Sequence, residues 1–579
     1  MWRMLSKSQS VYFEIPERSI MFPLTRRGFI SQASLAAGAL VFGNCRSGLA
    51  RSEKAVVEIA DGRLCGRREN GVTIFKGIPY GGRISGHRRF LAPSAVQPWK
   101  GVRDAQRLGP PSIQPAHQTY GIDEPAADEE CLVLNVWTPE LDDGKRPVMF
   151  YNHGGGYSSG SGGSVAQDGA NLARRFDVVV VQTNHRLGLL GFLYLDEVAG
   201  ESYAGSGNRG VLDIVQALLW VHDNIRRFGG DPENVMIFGE SGGGGKTSCL
   251  FAMPAAAPYF HKASIESGPG VRMADPKVAA ETTWMLLKEF GLTSRDWRRL
   301  LDVPAADLLA AQLRLREKTA HTRLKRMLWS SAAGLGEFGP VVDGKTLPSH
   351  PFDPVAPEIS RHKPLMVGWN EDEFTFFAMV AGDTAAFQLD QAALLKRVEA
   401  EYGPVAGRMI STYRRTRPQA SAGAIYVAIR SMDFSGVGSL EIVNKKAEQK
   451  GAPAFLYQFG YQSEYKIPGT EYPLGACHAM DILFKFANVV PPPSGTLEKG
   501  WPGNRPERFT AARNMAGMWS TFARCGKPAA QGQPNWPAYT LTGRPGMRID
   551  HLCEVYYDRY KEEREMWEEV SEQLRNEQP

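Results

Sequence analysis

Asn234-Val235-Met236-Ile237-Phe238-Gly239-Glu240-Ser241-Gly242-Gly243 runs an apolar segment straight into a serine set between glycines. A continuous apolar run of this length is that of a strand covered on both faces. G-x-S-x-G directly after such a strand is the pattern of an elbow, in which the serine occupies a strained turn from strand to helix. Larger flanking residues would collide with the neighbouring strand and helix. The turn presents the hydroxyl to a ligand and points a helix N-terminus at developing negative charge. The same stretch continues into Gly245-Lys246-Thr247, which also resembles a phosphate-binding loop. That alternative fails by one residue, because its spacing requires glycine where Glu240 stands, and a carboxylate there repels phosphate.

Upstream of the elbow, Leu212, Val215, Leu218, Leu219 and Ile225 recur at helical spacing across residues 210–227. A further apolar run, Asp177-Val178-Val179-Val180-Val181, precedes that helix. Strand, helix, strand predicts a central, mostly parallel sheet with helices on both faces, an α/β fold. Strand character is also predicted at 56–59 and 72–75, around a Gly-rich turn, and at 132–137, 147–151, 364–368 and 454–459. Residues 276–326 read as charged helices inserted over the sheet, and 562–578 as a solvated surface helix. No Pro/Ser-rich linker interrupts the chain, so 51–579 is expected to form one catalytic domain.

The 579 residues are 43% hydrophobic and 22% charged, which excludes disorder, collagen and coiled coil. The net charge of +5 is scattered and lacks the basic footprint of a nucleic-acid binder. Seven cysteines form no CxxC pair and no zinc spacing, so neither a metal nor a cofactor is expected.

Residues 1–50 read as an address. Thr25-Arg26-Arg27-Gly28-Phe29 opens an uncharged, moderately apolar stretch ending at Cys45, and resembles a twin-arginine export signal. Gly48-Leu49-Ala50 supplies the small residues a signal peptidase reads, which places cleavage after Ala50, and Met21 is a second possible start. Ser31, Gln32 and Ser34 make the stretch a poor spanning helix, so no stable membrane anchor is expected after cleavage. The reading implies the twin-arginine machinery as a partner and a periplasmic or secreted location. Asn44-Cys45 lacks the small residue of a lipoprotein site.

Collected, Glu130-Cys131-Leu132-Val133-Leu134-Asn135, His153-Gly154-Gly155-Gly156-Tyr157, Phe228-Gly229-Gly230-Asp231-Pro232 and the Ser241 elbow resemble the type-B carboxylesterase family, relatives of the cholinesterases. Gly77-Ile78-Pro79-Tyr80, Asn184-His185-Arg186-Leu187-Gly188, Glu266-Ser267-Gly268 and Trp519-Ser520-Thr521-Phe522-Ala523 extend the likeness over nearly all of the mature chain. It implies an α/β-hydrolase fold and a serine carboxylesterase acting on a small-molecule ester through an acyl-enzyme. The second class to weigh is a catalytically silent cholinesterase-like binding protein, which usually lacks a triad member.

The resemblance implies Ser241 as nucleophile and His478, in Gly475-Ala476-Cys477-His478, as its base. It implies Glu373 as the acid that orients the base, although composition alone does not separate Glu373 from Glu371 and Asp372 beside it. Gly155, Gly156 and Gly242 are the implied backbone donors of the oxyanion hole. Ser267 matches a family serine near the triad and, with Glu240, is expected to stand behind the reacting groups. Two departures stand out. Gly242 replaces the family's usual alanine, which predicts a looser backbone, and Ser112 stands where a cysteine would pair with Cys131.

Overall fold

In the computed structural model the described residues are 53–115, 124–320, 334–490 and 500–576, so the export signal read at 1–50 lies outside them. The strands in chain order are β1 (Glu53–Ile59), β2 (Gly62–Glu69), β3 (Val72–Pro79), β4 (Val102–Asp104), β5 (Val133–Thr138), β6 (Arg146–Asn152), β7 (Val179–Thr183) and β8 (Gly230–Glu240). They continue with β9 (Lys262–Glu266), β10 (Leu365–Asn370), β11 (Ala454–Phe459), β12 (Ser463–Lys466), β13 (Pro473–Gly475), β14 (Pro545–Ile549) and β15 (Glu554–Tyr557). Among the described residues all but β12 and β13 join one sheet, in the order β1-β2-β3-β5-β7-β6-β8-β9-β10-β11-β14-β15 with β4 beside β2.

From β7 to β14 every neighbouring pair is parallel, whereas β1, β2, β3 and β5 and the last strand pair antiparallel, and β4 lies parallel to β2. Of the strands read from the sequence, β7, β10 and β11 are buried at every residue, and so is β9, which the sequence reading did not pick out. The chain leaves β6 for β7 on one side and returns to place β8 on the other, so β6 lies at a reversal of strand order. Open α/β sheets bind ligands outside the carboxyl ends of their strands at such a point.

β2 was not among the expected strands. Its sequence, Gly-Arg-Leu-Cys-Gly-Arg-Arg-Glu, buries only Leu64 and Gly66, because one of its faces is turned to solvent. It is recruited by β1 and β3, and the hairpin dipeptide Asn70-Gly71, both residues at positive φ, was the available signal. The inserted helical region resolves into helices Pro276–Glu289 and Ala305–Lys318 with a short 3-10 turn between them. The C-terminal helix Lys561–Asn576 corrects the expectation of a fully solvated element. Met566, Trp567 and Val570 are buried on one face, and buried Glu563 pairs with Arg417 at 2.8 Å. Among the described residues no helix is long and apolar enough to cross a membrane.

Candidate active site

Ser241 follows the last residue of β8 and precedes helix Gly242–Ala252. Its φ of 59° and ψ of −125° are strained for any residue with a Cβ, and they persist only because surroundings fix them. The Ser241 N–H donates to Glu266 O at 2.9 Å, tying the turn to the end of β9, while Ser241 O accepts from Gly245 N at 3.2 Å. The elbow read from the sequence is thus present in its expected strand-to-helix setting.

Two more strand ends converge on it. After β10, Glu373 opens helix Glu373–Val380 and is fully buried, with one carboxylate oxygen accepting from Asn370 N at 2.8 Å. Its other oxygen lies 2.7 Å from Nδ1 of His478. Because a carboxylate only accepts, that contact fixes the Nδ1–H tautomer and leaves Nε2 free for a proton. His478 and Ser241 both open onto one cleft of about 310 Å³, whose wall includes Tyr157, Phe338, Phe376, Phe377 and Trp501.

The structure separates the three consecutive carboxylates. Glu371 turns away to Arg548 at 2.8 Å and Arg559 at 3.0 Å. Asp372 accepts from Ala476 N at 3.0 Å and Gln462 Nε2 at 2.9 Å, which pins the loop carrying His478. Of these three, Glu373 alone reaches the imidazole. The bystanders are therefore structural anchors and not residues of a solvated turn.

Glu240 and Ser267 pack against His478 and Glu373. The Glu240 carboxylate accepts from Ala479 N at 3.2 Å and comes within 3.2 Å of His478 Nδ1. Burial raises the proton affinity of the Glu373 carboxyl, an effect that His478 and, to a smaller degree, the adjacent buried Ser267 offset. Burial works against a charged imidazole at His478, but Glu240 and Glu373 outweigh it and push the group up to about 9. Below these lies fully buried Lys485, paired with Glu266 and, at 2.8 Å, with Asp481.

Gly155 and Gly156 both adopt positive φ, at 84° and 61°. Among the described residues no acceptor takes the N–H of Gly155, Gly156 or Gly242. The carbonyl of each of those peptides is held: Gly154 O by His153 Nδ1 at 2.9 Å, Gly155 O by Ser159 N and Oγ at 3.0 Å each, and Ser241 O by Gly245 N. An amide whose carbonyl is engaged is oriented and polarised, so its N–H is a stronger donor.

The looser backbone expected at Gly242 is not found. A Cβ there would fall well under 3.0 Å from the N, Cα and O of Gly156, because the Gly154–Gly156 segment occupies the space an alanine methyl needs. Ser112 is likewise not idle: buried, it accepts from Leu187 N at 3.2 Å and contacts the Cys131 thiol, and Cys65, Cys131, Cys249, Cys477, Cys525 and Cys553 are all free.

Three aromatic residues around the imidazole were not picked out in advance. Phe376 and Phe377 lie 5.6 and 4.9 Å from His478 ring to ring, and Phe434 meets it edge-on at 4.9 Å. Phe376 and Phe377 stand at i+3 and i+4 from Glu373 on one helix, a spacing that could have found them. Phe434 comes from a π-helical turn, Met432–Gly436, for which the sequence carries no signal. Among the described residues no group of His, Cys, Asp and Glu is arranged to hold a metal ion.

A profile described as "Carboxylesterase family" matches residues 53–567. The para-nitrobenzyl esterase of Bacillus subtilis (strain 168) is 32% identical over 517 residues, which cover 88% of this chain and 98% of that protein. The phenmedipham hydrolase of Pseudarthrobacter oxydans is 30% identical, over 84% of this chain and 93% of its own length. Among solved structures, a carboxylesterase of Geobacillus stearothermophilus superposes with a TM-score of 0.74 at 35% identity, covering 88% of this chain and 99% of that one.

Proposed function

The chain belongs to the carboxylesterase family and is a carboxylic-ester hydrolase, and from that premise we propose that Ser241, His478 and Glu373 perform the hydrolysis through an acyl-enzyme. Ser241 Oγ attacks the ester carbonyl while His478 Nε2 takes its proton, and Glu373 keeps the imidazole in the Nδ1–H tautomer and balances its charge. The carbonyl oxygen, now an anion, receives the N–H groups of Gly155, Gly156 and Gly242. Collapse expels the alcohol, to which His478 returns the proton. Water, activated by the same imidazole, then attacks the acyl-serine and frees the acid and Ser241. The observation that carries this reading is the 2.7 Å contact between Glu373 and His478, on a cleft that Ser241 shares.

Ser241→Ala should abolish turnover of a simple aryl ester while leaving the circular dichroism spectrum unchanged; retained turnover would end this assignment. The aromatic wall formed by Phe376, Phe377 and Trp501 supports aryl or benzyl esters as the substrate class, checked by kcat/KM for a benzyl ester against a short alkyl ester. A silent binding protein is disfavoured because all three positions are filled and Glu373 meets His478 in hydrogen-bonding geometry.

For location we propose export by the twin-arginine route with cleavage after Ala50, on the strength of Arg26-Arg27, the apolar stretch after them and Gly48-Leu49-Ala50. Replacing Arg26 and Arg27 by lysine should leave unprocessed protein in the cytoplasm. Normal export of that variant would overturn the route, and an intact N-terminus on exported wild-type protein would overturn the cleavage site.

A further inference from the structure

Gly242-Gly243-Gly244-Gly245-Lys246-Thr247, which in the sequence resembles a phosphate-binding loop, has no room for phosphate. Lys246 is fully buried, and among the described residues its amino group has one acceptor, His153 O at 2.9 Å. His153 lies just past the end of β6, where the sheet ladder has stopped. A carbonyl buried there is costly unless a donor reaches it, and a lysine amine is buried only where something repays its desolvation.

The neighbouring contacts give the pairing a purpose. Thr247 Oγ accepts from Asn152 Nδ2 at 2.9 Å and donates to Gly243 O at 2.8 Å, so successive residues of the helix grip successive residues of the strand end. The glycines let them approach. A Cβ on Gly243 would overlap the Asn152 carbonyl, as one on Gly242 would overlap Gly156. The His153 ring, stacked on His185 with centroids 4.7 Å apart, donates from Nδ1 to Gly154 O. Burial, with a smaller contribution from Lys246, holds both imidazoles well below their usual range, hence neutral. Contacts therefore run from Lys246 to the His153 backbone, through its ring to Gly154 O, and so to the peptide whose N–H is that of Gly155.

We propose that Lys246 and Thr247 are positioning residues for ester hydrolysis, a clasp that holds the strand end bearing Gly155 and Gly156 against the helix bearing Gly242. This rests on the assignment of those three N–H groups as the oxyanion donors. Neither side chain touches substrate; each acts by keeping donors from two separate elements aimed at one point.

The test compares Lys246→Met, which keeps length and apolar packing, Lys246→Gln, which keeps a donor, and Thr247→Val, which keeps shape. Each full-length protein is normalised by titrating Ser241 with a phosphonate, so that misfolded chains do not count. Loss of one direct oxyanion donor lowers kcat about 10²- to 10³-fold, and a clasp acting through the backbone should cost less. Lys246→Met is expected to lose roughly 10- to 100-fold in kcat with KM changed less than about twofold, and to lose affinity for a trifluoromethyl ketone in the same proportion. Lys246→Gln should recover most of that loss. Thr247→Val should show a smaller fall of the same kind, and it decides the question should the Met variant not fold. Unchanged kcat in titratable Lys246→Met, or in Thr247→Val, would overturn the clasp, as would a rise in KM alone. Failure of the phosphonate to label Ser241 in the wild-type protein would instead overturn the underlying assignment of the site.

Discussion

At the scale of single residues, the site is an exercise in telling similar groups apart by their partners. Glu371, Asp372 and Glu373 are adjacent, yet one is bound by Arg548 and Arg559, one by Ala476 N and Gln462, and one by His478. Glu373→Gln should lower kcat by about 10³- to 10⁴-fold, since the amide can present its N–H₂ to Nδ1 and favour the wrong tautomer. Glu371→Gln should leave kcat within a few-fold, and Asp372→Asn, which keeps an acceptor for Ala476 N, should do little more; steady-state kinetics on a p-nitrophenyl ester measures all three.

A second expectation concerns pH. Hydrolysis needs His478 unprotonated, and the flanking carboxylates raise its proton affinity, so kcat/KM should fall as pH drops through a value above the ordinary histidine range. Glu240→Gln removes one of those carboxylates and should move the acid limb to lower pH. A limb that stays in place would show that Glu240 exerts no electrostatic hold on the base.

The identity of the acid was not legible from local sequence, because its rivals are sorted by residues more than a hundred positions away, such as Arg548 and Arg559. The nucleophile was legible, because strand, turn and helix are all encoded within a dozen residues around Ser241. His478 lies between: its Gly-led loop has no local meaning, and only the family resemblance raised it above the other histidines.

At the scale of elements, the three proposed oxyanion donors lie at the contact between the Gly154–Gly156 segment and helix Gly242–Ala252. The usual family alanine is expected to be harmful here. Gly242→Ala would drive a methyl group into the Gly156 backbone, and overpacking of this kind costs about 1–3 kcal/mol or displaces the obstructing segment. Since that segment carries two of the three proposed donors, kcat should fall by about tenfold or more with little change in KM. Wild-type kcat in this variant would mean that the segment relaxes freely.

The same scale shows what sequence pattern does and does not reveal about elements. Strands buried on both faces, such as β7 and β10, announce themselves as apolar runs. β2 does not, since a strand with one wetted face and a run of Arg-Arg-Glu is defined by its neighbours. The C-terminal helix misled in the same way, its many glutamates masking the Met566, Trp567 and Val570 stripe.

For the molecule as a whole, the sheet order brings together loops from β6, β8 and β10, and the proposed hydrolytic site stands where those loops meet. The fold also shows how it manages without the brace expected at Cys131. Ser112 lies against that thiol and holds Leu187 N, so Ser112→Cys should form a disulfide under oxidising conditions. The gain is about 3 kcal/mol from the closed loop, less about 1 for the lost hydrogen bond. Loss of two titratable thiols and a higher Tm check it; unchanged thiol content would mean that the two positions cannot meet the bond's geometry.

One serine, just past the end of β8, is proposed to do the chemistry. Peptide mass mapping of the whole protein after stoichiometric inactivation by an aryl phosphonate tests it most directly. A single adduct per chain is expected, on Ser241, its appearance paralleling the loss of esterase activity. An adduct on Ser161 or Ser267, or full inactivation with Ser241 unmodified, would contradict it.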